Sequence, residues 1–295
     1  MYAESFEYHR AETVDHAIEL LESNRDAKVL AGGHGLIPLM KKRELTPDTV
    51  VDIGGLDALR GIERTDGAVR IGALSTHTAV GGSPLLREAA PVYPRTVSCI
   101  TGGKQVHNFA TIGGNIARAH PGYDYEGTVL ATGSQIHLEG PGGGQTVAAS
   151  EFFRGALRTS LEETQLITSV VVPTCEGHRD GGYAKRKEPG SGNAIVGVAT
   201  DIEFESEQAA HIERARVGVN GLQESAVRLT GVEDVLTGSA VTERTVQAAT
   251  ATAGESVQAS AVLDNKKASA AYRRNLLGPQ VRKSVLQATP LDGEA

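Results

Sequence analysis

The chain has 295 residues, of which 40% are hydrophobic and 22% charged, so it can form a sizeable globular core. Its net charge of −7 argues against nucleic acid as the main partner, and the lack of Trp, with only 4% aromatic residues, argues against a base-stacking platform. Its two cysteines, Cys99 and Cys175, are too few to hold an iron–sulfur cluster, and no histidine spacing matches a metal motif.

The segment 13–71 has the pattern of a compact α/β unit with short connections. Apolar residues recur at helical spacing in Thr13–Ser23, which predicts an amphipathic helix. A second helix is predicted over Leu36–Arg43, whose proline falls in the first turn, where it is tolerated. Short apolar runs predict strands at Lys28–Ala31, Thr49–Ile53 and Ala68–Ile71.

The middle of the chain mixes short helices, strands and a glycine-rich stretch. Ser75–Ala90 is predicted to be helical in parts, and Pro91 and Pro94 are expected to end that region. Thr101–Asp124 is dense in Gly, Asn, Thr and Pro, which predicts a long functional loop. The remaining pattern predicts a helix at Glu126–Thr132 and strands at Gln135–Leu138 and Leu166–Val172.

A change of composition at Pro173–Gly182 predicts a domain boundary, because Pro, Gly, His and charged residues replace an apolar run. Beyond it strands precede helices, which is typical of an α+β domain. The predicted strands are Tyr183–Lys187, Ala199–Phe204 and Ala215–Val219, and the predicted helices are Glu243–Val257, Ser269–Leu277 and Val281–Ala288. Residues after Thr289 are expected to form a loose tail.

Two glycine-rich segments, Val29–Leu36 and Ala110–Asn115, could bring backbone N–H groups close to a pyrophosphate. Thr111 and Asn115 could add side-chain hydrogen bonds. Either segment alone is more often a tight turn. Neither matches G-x-G-x-x-G or G-x-x-x-x-G-K-[ST], so a Rossmann or P-loop site has no support.

The two segments occur together with further motifs, namely Phe6–Arg10, Pro121, Asp124, Leu166–Thr168, Pro173, Tyr183–Lys185 and Tyr272–Leu276. With this set, the chain from about Phe6 to Ala288 resembles the FAD-binding medium subunit of molybdenum hydroxylases. That family includes aerobic carbon monoxide dehydrogenase and the flavin part of xanthine dehydrogenase. Ala31–Lys41 is similar to its first flavin loop, and Thr111–Asn115 resembles its second.

The resemblance implies an α+β fold in two parts. Residues 1–175 would form a FAD-binding domain of the vanillyl-alcohol-oxidase (PCMH) type, with two α/β subdomains divided near residue 55. FAD would lie extended between these subdomains, which cover residues 1–55 and 56–175. Residues 180–288 would form a C-terminal α+β domain of the carbon monoxide dehydrogenase flavoprotein type.

The resemblance also implies the binding residues. Asp124 would accept a hydrogen bond from a ribose or ribityl hydroxyl, and Lys185 would lie near the isoalloxazine, where a cation stabilises reduced flavin. Without the resemblance, Asp124 would be interpreted as a loop cap and Lys185 as a solvated surface cation. The expected FAD-binding set is Val29, Leu30, Ala31, Gly32, Gly33, His34, Gly35, Leu36, Thr101, Thr111, Ile112, Gly113, Gly114, Asn115, Asp124, Ile167 and Lys185.

Three positions depart from the family's pattern. Gly35 stands where the first loop usually ends in Ser, and His120 stands where Asp is common. Asn193 occupies the place of an aromatic residue that stacks near the flavin ring. Either that face of the flavin is more open here, or Tyr123 or Tyr125 covers it.

The implied function is electron transfer in an oxidoreductase complex. FAD would take electrons from 2Fe–2S clusters of a small partner subunit and pass them to an external acceptor, while a large partner oxidises the substrate at its molybdenum cofactor. A dimer of heterotrimers is implied by the resemblance. The alternatives are a stand-alone FAD-dependent oxidase or dehydrogenase, for which no residue is nominated as catalytic base, and a binding module without enzymatic activity.

The chain shows no sign of membrane insertion or export. No apolar run approaches the roughly 20 residues that span a bilayer, and the N-terminus lacks a signal-peptide pattern. The low cysteine count also suits a reducing compartment, so we expect a cytoplasmic protein.

Overall fold

The computed structural model of the protein describes residues 2–293. Their strands form a three-stranded, a five-stranded and a four-stranded sheet, together with a two-stranded ribbon. Among these residues, none of the helices combines the length and the apolar character needed to cross a membrane.

The N-terminal unit consists of β1 (Glu7–Arg10), α1 (Val14–Ser23), β2 (Ala27–Leu30), α2 (Leu36–Lys42) and β3 (Thr49–Asp52). Its strands form a parallel sheet in the order β1–β3–β2, as expected for strands joined by helices. Helix α1 begins where the Thr13 side chain accepts the His16 backbone N–H, and its apolar face packs on the sheet. The predicted helices and strands of this unit are confirmed to within one residue at each end.

The middle unit is built on an antiparallel sheet. Its elements are β4 (Ile62–Thr65), β5 (Ala68–Gly72), α3 (His77–Gly82), α4 (Pro84–Ala89), α5 (Val92–Cys99), α6 (Gly103–Phe109), α7 (Ile112–Arg118), α8 (Tyr125–Ala131), β6 (Gln135–Gly140), β7 (Gly143–Ala148), α9 (Ala149–Phe152), β8 (Phe153–Gly155), β9 (Arg158–Thr159) and β10 (Leu166–Pro173). The strand order is β4–β5–β10–β6–β7, and β8 pairs with β9 separately. The longest strand, β10, lies in the centre of this sheet.

Two predictions for this unit are wrong. The expected loop at Thr101–Asp124 contains helices α6 and α7. Thr111 caps α7 by accepting the Gly114 backbone N–H at 3.2 Å, and a hydrogen bond from the Gly113 N–H to the Ala73 carbonyl holds this helix against the middle unit. The expected break at Pro91 and Pro94 is instead the start of α5. A proline in the first helical turn leaves no intrahelical hydrogen bond unmade, so the chain continues as a helix.

The C-terminal unit consists of β11 (His178–Lys187), β12 (Ala194–Phe204), β13 (Ile212–Asn220), β14 (Val227–Arg228), α10 (Thr230–Leu236), α11 (Glu243–Thr252) and α12 (Ala270–Gln287). The strands form an antiparallel sheet in sequence order. Helix α10 was not predicted, and α11 ends five residues earlier than predicted, at Thr252 rather than Val257.

The prediction of two helices at Ser269–Leu277 and Val281–Ala288 is wrong, because α12 is continuous through Pro279. Both halves of α12 are fixed to the sheet. In the first half, Arg273 donates hydrogen bonds to the carbonyls of Ile195 and Gly221, and in the second half Ser284 donates to the carbonyl of Gly182. This tertiary attachment outweighs the proline's local preference to end a helix.

The predicted loose tail after Thr289 is also corrected within the described residues. Pro290–Gly293 form a 3₁₀ turn, and Leu291 packs against the core of the C-terminal unit. The last part of the predicted tail, Glu294 and Ala295, lies outside the described residues.

Helix α8 connects the middle and C-terminal units, because it packs directly against β13. A Cβ atom at Gly218 would overlap the carbonyl oxygen of Gly127, so two glycines allow helix and strand backbones to touch. The buried residues of α8 belong to a core that includes Tyr125 from α8 and Tyr183 from β11, whereas those of β13 belong to the core of the C-terminal unit. The end of α8 that begins at Tyr125 is thereby fixed next to β11.

Glu126 in α8 is completely buried, and neither carboxyl oxygen forms a hydrogen bond within residues 2–293. Burial raises the pKa of this carboxyl to about 8, and the nearby backbone N–H of Ala226 opposes the rise only in part. The folded protein therefore holds Glu126 in its protonated form at neutral pH.

We expect a Glu126→Gln variant to be more stable than the parent protein in mildly alkaline solution and similar to it in acid. Because the folded-state pKa is raised, the unfolded chain releases the proton first, so the parent loses stability as the pH rises from about 4.5 to about 8. Gln cannot ionise, which removes a loss on the order of several kcal/mol. Urea unfolding at about pH 5 and about pH 8.5 measures the difference. The exposed Glu163→Gln variant is the control, and a Glu126→Gln variant with the parent's pH dependence would contradict the prediction.

Candidate cofactor site

The two glycine-rich segments line the same cavity, which has a volume of about 580 Å³ and is open on one side. This size is within the range of cofactor and small-molecule sites. Fourteen of the seventeen residues expected to bind FAD line it, namely Val29, Ala31, Gly32, Gly33, His34, Gly35, Leu36, Thr101, Thr111, Gly113, Gly114, Asn115, Asp124 and Ile167. The structure therefore brings together residues that are up to 138 positions apart in sequence, from Val29 to Ile167.

Direct backbone contacts hold the two segments side by side. A Cβ at Gly32 would overlap the carbonyl oxygen of Phe109, so the first segment lies against the residues that lead into the second. The second segment is held by the turn after β5, since the N–H groups of Ile112 and Gly113 donate to the carbonyls of Ser75 and Ala73. The cavity wall is therefore rigid backbone at the point where the two segments meet.

The wall has the properties that a pyrophosphate cofactor requires. A Cβ at Gly35 would meet no atom within 4 Å, because this position faces the open cavity. Gly33 has a φ of 73°, a left-handed conformation that glycine adopts without strain. The Oδ1 atom of Asn115 is buried without a hydrogen-bond partner in the described chain, so it is available to a ligand. The open space at Gly35 and the free acceptor of Asn115 fit a cofactor that carries hydroxyl groups.

Asp124 lies in the cavity wall and is fixed by two groups from the C-terminal unit. Its carboxylate oxygens accept hydrogen bonds from Lys185 Nζ at 2.9 and 3.0 Å, and one also accepts from the Tyr183 hydroxyl at 2.6 Å. Both charged side chains are less than 10% exposed. Burial raises the pKa of the Asp124 carboxyl, while the Lys185 ammonium and the Tyr183 hydroxyl oppose the rise.

Three expected FAD-binding residues do not line the cavity. Leu30 is half-buried in β2, and Ile112 is fully buried in the core of the middle unit. Lys185 lies behind Asp124 in the buried ion pair, so its interpretation as a solvated surface cation is wrong. The interpretation of Asp124 as a loop cap is also wrong, because its side chain makes no capping hydrogen bond to α8.

Of the two tyrosines expected to compensate for the missing aromatic side chain, one lines the cavity and the other does not. Asn193 and Tyr123 line the cavity, and the Tyr123 ring packs on His120 with ring centroids 4.9 Å apart. Tyr125 is fully buried and its hydroxyl lies 3.4 Å from His77 Nδ1, so it does not reach the cavity. Tyr123 is therefore the aromatic side chain available to cover a bound ring.

Histidines from three different elements surround the segment where the glycine loops meet. His34 is exposed, and its Nδ1 donates to the Gly32 carbonyl at 2.9 Å. His77 is buried in the cavity wall, and the His107 ring lies edge-on to it at 6.0 Å. Burial, together with His107 and His34, lowers the pKa of His77 to about 4, so His77 is neutral at physiological pH.

Sequence reasoning missed several residues of the wall. They are Lys28, Leu39, Leu45, His77, Arg118 and Gln165. Arg118 was detectable, because it lies seven residues after Thr111 and four after Gly114, the spacing of one helical face. The assignment of this stretch as a loop concealed that spacing. No signal in the sequence distinguished His77 from an ordinary buried histidine.

The described part of the chain contains no cluster of three or more His, Cys, Asp or Glu side chains that could bind a metal ion. Cys99 and Cys175 are both free thiols.

Comparison with known proteins identifies the family. Residues 4–175 match the family described as "FAD binding domain in molybdopterin dehydrogenase", and residues 182–288 match "CO dehydrogenase flavoprotein C-terminal domain". The carbon monoxide dehydrogenase medium chain of Hydrogenophaga pseudoflava is 33% identical over 281 residues, which cover 95% of this chain and 96% of that one. The medium chain from Afipia carboxidovorans is 31% identical, and the alignment covers 96% of each chain.

Solved structures agree with this result. A chain of carbon monoxide dehydrogenase from Hydrogenophaga pseudoflava superposes with a TM-score of 0.89 at 32% identity, and the superposition covers 98% of both chains. The predicted α+β fold, the family and FAD as the cofactor are thereby confirmed. This chain belongs to the FAD-binding medium subunits of the molybdenum hydroxylases and is a subunit of a FAD-dependent oxidoreductase.

Proposed function

We propose that the chain is the electron-transfer subunit of a molybdenum hydroxylase complex. It would take electrons from 2Fe–2S clusters of a small partner subunit and deliver them to an external acceptor, with FAD supplying the redox chemistry. The observation that carries this proposal is the cavity between the two glycine-rich segments, in a chain whose described residues offer no metal site.

The state of Asp124 favours electron transfer over a stand-alone oxidase. An oxidase that abstracts a proton from its substrate needs a free base beside the flavin. Among the described residues, Asp124 is the only one with a carboxyl group in the cavity wall, and it is already bound to Lys185 and Tyr183. His77 is held neutral with a pKa of about 4, which makes it a weak base.

The proposed partners follow from the relatives, which are named as medium chains. We propose a large subunit with the molybdenum cofactor, a small subunit with 2Fe–2S clusters, and a dimer of such heterotrimers. In this chain, residues 1–175 would hold FAD and residues 180–288 would form the C-terminal domain. The two free thiols suit a reducing compartment, and we propose the cytoplasm.

Within the cavity we assign roles by chemistry. Val29–Leu36 and Thr111–Asn115 would enclose the pyrophosphate from two sides. The backbone N–H donors would come from the first segment, because those of Ile112, Gly113 and Gly114 already donate within the protein. Asp124 would accept a hydrogen bond from a sugar or ribityl hydroxyl, because it lies in the cavity wall and Lys185 and Tyr183 hold its carboxyl group in place. Thr101 and Ile167, which also line the cavity, would contact FAD. Lys185 would act on the flavin only through Asp124.

We expect a Gly35→Val variant to lose most of its FAD while it keeps its fold. The Gly35 position has an ordinary helical conformation and open space around it, so the new side chain would enter the cavity without backbone strain. The visible flavin spectrum of the purified protein and a titration with FAD measure the loss, which should be tenfold or more in Kd, or about 1.4 kcal/mol.

Gly82→Val is the matched control for Gly35→Val. Gly82 also has open space around it and an ordinary backbone conformation, but it lies outside the cavity. The Gly82→Val protein should bind FAD like the parent. If Gly35→Val also bound FAD like the parent, in the purified chain and in the complex with its partner subunits, the proposed cofactor site would be wrong.

The buried pair of Asp124 and Lys185 should contribute separately to the stability of the fold and to FAD binding. Asp124→Asn leaves the Lys185 ammonium buried without a counter-charge, so we expect a loss of about 3–5 kcal/mol in the free energy of unfolding. Asp124→Asn combined with Lys185→Met removes both charges and should recover most of that loss. The double variant should still bind FAD more weakly than the parent, because the charged acceptor is gone. Denaturant unfolding and FAD titration of both variants measure the two effects. A double variant that binds FAD like the parent would contradict the role assigned to Asp124.

A further inference from the structure

Arg118, the last residue of α7, lies in the cavity wall on the same helical face as Thr111 and Gly114. It is partly buried, yet its guanidinium has no ion pair and no hydrogen bond in the part of the chain that the structure describes. A partly buried arginine without an acidic partner is uncommon, since such charges are normally paired. This guanidinium is therefore free to bind an anion in the cavity.

Two other charged residues of the cavity wall each have a partner of opposite charge. Lys28 faces Asp26 at 4.0 Å, and Asp124 is paired with Lys185. Burial is the main cause of the pKa shifts of His120 and Tyr123, lowering the first and raising the second. The positive charge of Arg118 adds to the shift at His120 and opposes the shift at Tyr123. Arg118 thus gives the wall a positive potential that no carboxylate cancels.

The position of Arg118 on α7 indicates what it can reach. Side chains on a helix lean toward its N-terminus, so Arg118 covers the preceding turn, where Gly114 and Asn115 lie. The Cα atoms of Gly114 and Arg118 are about 6 Å apart along the helix axis, a distance that an arginine side chain spans. A group bound at the second glycine-rich segment is therefore within reach of the guanidinium.

We propose that Arg118 is the counter-ion of the FAD diphosphate and that it makes the cavity selective for flavins that carry a diphosphate. This inference rests on the proposed position of FAD in the cavity. The planar guanidinium can donate two parallel hydrogen bonds to one phosphate, an interaction stronger than those of neutral donors. The backbone N–H groups of the first glycine-rich segment would supply only partial charges, since those of Ile112, Gly113 and Gly114 in the second already donate within the protein. Arg118 adds a full positive charge.

The test compares Arg118→Gln, Arg118→Lys and Arg154→Gln with the parent protein, each as the full chain freed of flavin. Arg154 in β8 is exposed and lies outside the cavity, which makes it the matched control. Each protein is titrated with FAD and with riboflavin, which has the same ring system but no phosphate, and the FAD titrations are repeated at increasing ionic strength.

For Arg118→Gln we expect the Kd for FAD to rise about 10- to 100-fold, while the Kd for riboflavin changes less than about twofold. The FAD affinity of the parent should fall with ionic strength, and that of Arg118→Gln should fall less, because salt screens the attraction between opposite charges. Arg118→Lys should retain the salt dependence with an intermediate Kd. Arg154→Gln should match the parent. The unfolding midpoint of flavin-free Arg118→Gln should equal that of the parent, because the guanidinium has no hydrogen-bond or ion-pair partner among residues 2–293.

Three results would overturn the inference. The first is an Arg118→Gln protein that binds FAD like the parent. The second is a variant in which FAD and riboflavin are weakened equally, since that would indicate a packing role. The third is an unchanged Kd for oxidised FAD with a shifted midpoint potential, which would place the guanidinium at the flavin ring. The Gly35→Val result separates this failure from a failure of the proposed site, because Gly35→Val loses FAD only if the cofactor lies in this cavity.

Discussion

The backbone contact between α8 and β13 is the constraint on which the cofactor cavity depends. Gly127 and Gly218 lack side chains at the point where helix and strand meet, so the two units approach to the distance of touching backbones. Asp124 precedes α8 and is thereby brought against Lys185 and Tyr183 of β11. The contact therefore does more than join two units, since it also fixes a carboxylate in the wall of the cavity.

The electrostatic design of the cavity follows from that arrangement. The cavity wall is made largely of backbone amides and neutral side chains, and its one carboxylate is bound to a buried lysine. A protein with a net charge of −7 can still bind a pyrophosphate in such a wall, because the local field is set by nearby dipoles and by Arg118. The acidic surface and the anion site are separate properties of the molecule.

Two buried carboxyl groups at the start of α8, those of Asp124 and Glu126, differ in their partners. Asp124 has two partners and stays fixed, whereas Glu126, two residues later, is buried with none and is protonated. The difference arises because β11 offers Lys185 and Tyr183 to the first carboxyl, while only the backbone N–H of Ala226 lies near the second. Burial of Glu126 is thus a consequence of packing α8 directly on the sheet.

The sequence by itself determined the family, the cofactor and the elements of the N-terminal unit other than β1, which was not predicted. Local information was sufficient there, since α1 has a capping threonine and an apolar stripe, and the glycine-rich segments are short contiguous motifs. Only the tertiary structure decided that α6 and α7 are helices, that α12 continues through Pro279, and that Lys185 pairs with Asp124 behind the wall. These features depend on contacts between residues far apart in sequence, such as Gly113 against Ala73 and Ser284 on Gly182, which outweigh the local preferences of Gly and Pro. The free charge of Arg118 belongs to the same class, because the absence of a partner for a side chain is visible only when its whole surroundings are known.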